Sequence, residues 1–398
     1  MEAIWWRVAI NKNEIEGLVV GIDATNLRRG GGVTHLIELL TAVDPEKYGI
    51  VRVIIWGSTL TLAKLPSKTW IKKITPDALN QGLLHRTWWQ LFSLSLAAYK
   101  EGCNVLFVPG GSFAGNFRPY VTMSRNLLPF ELQELRRYGL SLIAIKLVLL
   151  RYIQSRSLRK ADGVIFLTEY ARKTVFKVTG QITGKIVTIP HGLNPRFKIK
   201  PKEQRSLRKY TVNNPCRLLY VSIVDQYKHQ WNVVEAVHAL RAEGIFVVLE
   251  LVGPAHPPSL RRLQAEIERL DPEASWVQYR GAVPYEALHQ IYAQADIGIF
   301  ASSCENMPNI LLETMSAGLP VACSNRGPMP EVLAETGLYF DPENPEEIAN
   351  AIRKFILSAE LRCNLAKASY KRSEQYSWSH TADQTFTFLA EVAREHQK

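Results

Sequence analysis

At 398 residues the chain is long enough for two domains of ordinary size, and an apolar fraction of 46% with 21% charged residues suits a globular protein and argues against disorder. Five cysteines, Cys103, Cys216, Cys304, Cys323 and Cys363, have neither paired nor metal-like spacing, which argues against a disulfide scaffold and reads as reduced thiols in a cytoplasmic protein. The net charge of +11 is lopsided, with 25 Lys and Arg against 13 Asp and Glu in residues 1–190, so an anionic partner is expected: phosphate groups or an anionic bilayer, and not nucleic acid, because no aromatic-basic module is present.

The start, Met1-Glu2-Ala3-Ile4-Trp5-Trp6, lacks the basic-then-apolar order of a secretion signal. Leu18–Ala24 reads as a first strand, and Leu36, Ile37, Leu39, Leu40 and Val43 mark the helix after it. Between them Arg28-Arg29-Gly30-Gly31-Gly32-Val33 is either a plain tight turn or a place where backbone meets a ligand closely; its spacing is not that of a dinucleotide-binding loop. Strands are expected at 51–56, 105–108, 120–123, 163–167 and 186–189, alternating with helices, which predicts a parallel sheet covered on both faces. The helical stretches 83–100 and 131–160 combine Trp88, Trp89, Phe92 and Leu147 to Leu150 with Arg136, Arg137, Arg151, Arg156, Arg159 and Lys160. Such helices either cover the sheet with a basic outer side or rest on an anionic membrane surface. The most apolar window, 140–150, contains Lys146 and is too short to span a bilayer.

Ile189-Pro190-His191-Gly192-Leu193-Asn194-Pro195 closes the first domain, placed at 1–191, with His191 read as a hinge residue. A second domain is expected over 192–375 and a terminal helix over 376–398. Its strands begin at Leu218–Val224 and continue at 246–252, 276–279, 296–301 and 319–323.

The densest signal is Ser302-Ser303-Cys304-Glu305-Asn306-Met307-Pro308-Asn309-Ile310-Leu311-Leu312-Glu313, continued by Thr314-Met315-Ser316-Ala317-Gly318-Leu319-Pro320-Val321. It reads strand, loop, helix, with Pro308 at the first helical position and Gly318 and Pro320 as the stop. The amides near Asn306 to Ile310 then stand at a positive helix end, a seat for phosphate flanked by Glu305 and Glu313. From spacing alone, an amphipathic helix with two solvated acids fits as well.

This pattern, S-x-x-E-x-x-P-x-x-x-x-E-x-M-x-x-G-x-P-V with Glu305-x7-Glu313, resembles the signature of the family 4 glycosyltransferases, retaining enzymes of the GT-B fold. The resemblance implies two Rossmann-like domains facing each other across a cleft. It further implies transfer from a nucleotide diphosphate sugar, a UDP- or GDP-sugar, to a hydroxyl of a glycan or lipid-linked acceptor, with polysaccharide assembly as the setting and contact with the inner membrane face. Glu305 would contact the transferred sugar and Glu313 the ribose. Asn306, Met307, Pro308, Asn309 and Ile310 would hold phosphate and sugar, Gly31 and Gly32 would lie beside the diphosphate, and Val283 would meet the nucleobase. No cofactor and no metal is implied, and no Asp-x-Asp triplet occurs.

Two departures qualify the likeness. The family pattern V-G-R-x-x-x-x-K becomes Val221-Ser222-Ile223 followed by Lys228, which leaves one of two diphosphate-binding cations; Arg326 is a candidate substitute. A His-Asp pair after a first-domain strand becomes Arg125-Asn126, expected to meet the acceptor. A non-catalytic nucleotide-sugar-binding scaffold and a GT-B nucleotide-sugar epimerase are the alternative functions.

Overall fold

A computed structural model describes residues 17–28 and 30–397; Arg29 and the start Met1 to Trp6 lie outside them. Strands β1 (Leu18–Asp23), β2 (Ile50–Trp56), β3 (Ile71–Ile74), β4 (Val105–Val108), β5 (Tyr120–Met123), β6 (Gly163–Phe166) and β7 (Lys185–Thr188) form one sheet in the order β3-β2-β1-β4-β5-β6-β7. A second sheet has the order β10-β9-β8-β11-β12-β13, from β8 (Cys216–Val221), β9 (Val247–Val252), β10 (Val277–Tyr279), β11 (Ile297–Phe300), β12 (Val321–Ser324) and β13 (Leu338–Phe340). Both sheets are parallel throughout, so helices cover both faces and the central strands are continuous apolar runs: every residue of β1, β4 and β11 is buried. The molecule is thus an α/β protein of two Rossmann-like lobes with the GT-B architecture.

Strand β3 has no counterpart in the sequence reading. Its Ile71-Lys72-Lys73-Ile74 is a short edge strand, and the two lysines that blunt the edge also hide the apolar pattern. The helical stretches expected at 83–100 and 131–160 are each made of two helices, parted at Ser93 and around Gly139, whose φ is +55°.

Strand order reverses at β1/β4 in one lobe and β8/β11 in the other, and open parallel sheets present their ligand crevice beyond the carboxyl ends of such strands. The loops after β1, β5, β8 and β11 therefore converge between the lobes. Several contacts clamp them there. Thr168 Oγ1 donates to the Asn306 carbonyl (3.0 Å), the Glu169 and Tyr170 amides donate to Glu331 (2.8 and 2.9 Å), and Arg137 pairs with Glu343 (2.7 Å).

After the second sheet the chain returns. The helix Trp378–His396 packs on the first lobe, where Tyr48 OH donates to Asp383 (2.7 Å), Arg394 donates to the Tyr48 carbonyl (2.7 Å) and Phe386 stacks on Tyr48.

Candidate active site

The helix Asn309–Ser316 begins one residue later than expected, with Pro308 as its cap rather than its first residue, and Gly318 ends it at φ +66°. Its N-terminus points into a cleft of about 530 Å³ lined by Gly31, His35, Asn194, Glu305, Asn309 and Glu313 among others. Across the cleft stands the start of the helix Gly31–Ala42, so two helix N-termini, each with a positive partial charge, face the same space. A smaller hollow of about 210 Å³ adjoins it, walled by Ile223, Lys228, Gly253, Val283 and Ile310, with Ile310 common to both.

Lys228 is held by a clamp. The turn Gln226–Lys228 ends at His229, which adopts a left-handed φ of +49° while its Nε2 bonds Ser303 Oγ (2.9 Å) and the Ser303 amide donates to the Tyr227 carbonyl (2.8 Å). This ties the loop after β8 to the loop after β11 and brings the Lys228 ammonium onto Glu305 Oε1. Burial depresses His229 to a pKa of about 4, so it stays neutral there.

Glu313 differs sharply from a solvated acid. It is 4% exposed and accepts hydrogen bonds from Tyr285 OH (3.2 Å) and Tyr292 OH (3.3 Å). Loss of water outweighs those two bonds and raises its pKa to about 8. The carboxyl group is therefore largely protonated at neutral pH when the cleft is empty.

Not every expected residue reaches the cleft. Gly31, Glu305, Met307, Asn309, Ile310 and Glu313 line the larger hollow, and Lys228, Val283 and Ile310 the smaller; Gly32, Arg125, Asn126, Asn306 and Pro308 line neither. Asn126 is exposed and accepts from the Leu128 amide (3.2 Å), which makes it a turn residue. The Asn309 amide is not a free donor as expected, because it turns back to the Met307 carbonyl (3.0 Å). Asn306 reaches the other lobe, its Nδ2 donating to Ser124 Oγ at a long 3.4 Å. Arg326 is tied to Asp341 (2.6 Å) and so is committed elsewhere.

Sequence reasoning missed a cluster behind the glycine loop. The His35 and His191 rings lie 4.9 Å apart at a tilt of 38°, with Trp378 against both, and the Arg125 guanidinium lies over Gly32 beside them. His191 Nδ1 pairs with Asn309 Oδ1 (3.0 Å), while His191 Nε2, both nitrogens of His35 and Arg125 Nε are buried without a partner. Burial drives both imidazoles to the neutral form, His191 to a pKa of about 3, and lowers Arg125 to about 10. The one local signal was His35, four residues into the helix and so on the inner face with Leu36 and Leu39. Asn194, bonded to Glu38 (2.8 Å), and the tyrosines over Glu313 carried none. Among the described residues no three His, Cys, Asp or Glu side chains gather as a metal-binding group.

The family model of the glycosyl transferases group 1 matches residues 202–372, which includes Lys228, Glu305 and Glu313. The chain is 25% identical over 240 residues to the O-antigen chain mannosyltransferase B of Escherichia coli, covering 59% of this chain and 63% of that protein. It is likewise 25% identical over 244 residues to a GDP-mannose-dependent alpha-(1-6)-phosphatidylinositol monomannoside mannosyltransferase of Mycobacterium tuberculosis, covering 57% and 61%. In both cases the match spans less than two thirds of the relative. Among solved structures, Anabaena HepE in complex with UDP superposes with a TM-score of 0.69 at 17% identity, covering 94% of this chain and 100% of that one.

Proposed function

We propose that this chain of GT-B fold is a group 1 glycosyltransferase of family 4 and that it moves a sugar from a UDP- or GDP-sugar to a hydroxyl of a glycan or lipid-linked acceptor, keeping the anomeric configuration. The observation that carries this reading is the interlobe cleft itself, where the Asn309–Ser316 helix end stands between the Lys228–Glu305 pair and the buried Glu313. Mannosyltransferase relatives, one GDP-mannose-dependent, and a fold neighbour holding UDP support a nucleotide diphosphate sugar as donor.

In this reading the diphosphate lies between the two helix ends, the ribose hydroxyls meet Glu313, the base enters the hollow beside Val283, and the transferred sugar meets Glu305. As the bond from the anomeric carbon to the phosphate oxygen breaks, negative charge grows on the leaving diphosphate. Lys228 and the helix ends stabilise that charge more in the transition state than in the bound donor. The acceptor hydroxyl attacks from the same face and passes its proton to the leaving phosphate. Charge neutralisation is thus assigned to the protein's own groups, with no metal. Arg125 is assigned to an acceptor phosphate. Surface polysaccharide assembly in the cytoplasm, at the inner membrane face, is the proposed setting.

Ile223 favours a second reading, a scaffold that binds nucleotide sugar without turnover, because an isoleucine walls the hollow beside Lys228 where the family carries arginine. Calorimetry with UDP, GDP, ADP and their sugars, combined with NMR of the products, separates the two. Binding with transfer and a retained anomer supports the enzyme; binding without transfer or hydrolysis over a broad acceptor set supports the scaffold. Nucleotide affinity unchanged in Glu313→Ala would refute the site assignment under either.

A further inference from the structure

We propose that the outer helical layer of the first lobe is a docking surface for an anionic lipid bilayer and that it sets the cleft beside the membrane plane. In the helix Leu83–Phe92 the side chains of Leu84, Trp88 and Phe92 repeat every four residues and are 84%, 67% and 62% exposed, with the Trp88 and Phe92 rings in contact at 4.3 Å. In the helix Leu142–Lys160 a second exposed stripe runs through Leu142, Ile145, Leu149 and Tyr152. The inner sides of both helices, through Trp89 and Leu158, join one buried cluster, so the two stripes lie on the same side of the sheet. A monomeric protein seldom exposes this much large apolar surface without a partner for it.

Charge identifies the partner. Neither 83–100 nor 136–160 contains a single acidic residue, while Lys100, Arg136, Lys146, Arg156, Arg159 and Lys160 are exposed along them. Apolar stripes on helices that themselves carry cations and no acid match a headgroup layer, where the apolar side chains enter the acyl boundary and the long basic ones reach lipid phosphates. No described helix is long and apolar enough to cross the bilayer, so contact is at its surface.

Both helices start against loops that border the gap between the lobes. Arg86, on the first turn of its helix, donates to the Thr25 carbonyl in the loop after β1 (3.3 Å), and Tyr138, just before the second helix, donates to Asp225 of the other lobe (3.1 Å). A lipid-borne acceptor can therefore enter without leaving the membrane. That consequence rests on the proposed transferase reading, whereas binding to lipid does not.

The test is flotation of the full chain, without nucleotide, with vesicles of phosphatidylcholine alone or mixed with phosphatidylglycerol. Binding is expected to the mixed vesicles, about tenfold weaker to the neutral ones and weakened by salt. Trp88→Glu with Leu149→Glu should abolish it, and Arg156→Glu with Lys160→Glu should weaken it only on anionic vesicles, while thermal unfolding and UDP-sugar binding in both variants stay as in the wild type. Retained nucleotide binding also keeps a failure of this proposal distinct from a failure of the donor site. Wild-type protein left in the soluble fraction, or Trp88→Glu with Leu149→Glu floating unchanged, would overturn it. So would a dimer that forms without lipid and is lost in that variant, because the face would then be an interface between two copies.

Discussion

Lys228 and Glu305 form an ion pair at the junction of the two hollows, with side-chain exposures of only 6% and 15%. The cation nearest the proposed diphosphate is therefore already engaged by the acid assigned to the sugar. A buried pair of this kind loses most when a single partner is removed, because the survivor keeps its charge without compensation.

Lys228→Met should thus lower stability by about 3–5 kcal/mol, and adding Glu305→Gln should restore most of it. Transfer, by contrast, should stay roughly 10²–10³-fold down in both variants, because no cation faces the leaving phosphate. Denaturant unfolding and steady-state rates on the four members of the cycle read the two effects separately; a double variant no more stable than Lys228→Met would remove the coupling.

Glu313 supplies a pH dependence. Its folded pKa, about 8, lies above the ordinary carboxylate value because burial penalises the charged form. Between the unfolded and folded values the native state therefore holds a proton that the unfolded state lacks, and stability falls with rising pH by about 1.4 kcal/mol per unit before levelling above pH 8. Glu313→Gln should lack that slope. Unfolding midpoints from pH 5 to 8 check it, and parallel curves for the two proteins would contradict the burial argument.

Arg125 rests on Gly32. A Cβ built there would lie 2.7 Å from Arg125 Nη1, the movable end of a flexible side chain, so Gly32→Ala should fold yet displace the guanidinium. If Arg125 serves an acceptor phosphate, Gly32→Ala and Arg125→Ala should each cost about ten- to a hundredfold in acceptor kcat/KM, with nucleotide affinity unchanged. A loss of nucleotide affinity instead would move Arg125 to the donor.

Gly192 tests the return of the terminal helix. A Cβ there would meet the Trp378 amide nitrogen at 2.2 Å and the Ser377 carbonyl carbon at 2.5 Å, both rigid backbone. Gly192→Ala should therefore destabilise by about 2–3 kcal/mol and raise hydrogen exchange in Trp378–His396, read by mass spectrometry. Unchanged exchange would mean that the helix does not depend on this packing.

Much of the architecture was legible without coordinates. Central parallel strands are buried on both faces, so β1, β4, β5 and β11 stand out as apolar runs between helical patterns, and the turn at Pro308 with the stop at Gly318 frames the signature helix. Edge strand β3 escaped because one sheet neighbour and two lysines leave almost no pattern to detect.

The amino-acid order by itself determined the alternation of strand and helix and the local geometry that sets Glu305 ahead of a helix and Glu313 inside it, because those depend on periodicity within a dozen residues. Tertiary structure alone decided that two tyrosines from another segment would seal Glu313, that Lys228 would meet Glu305, and that His35, His191 and Trp378 would gather behind the glycine loop. Each of those contacts joins residues brought together only when separately formed layers dock, and no local periodicity records that meeting.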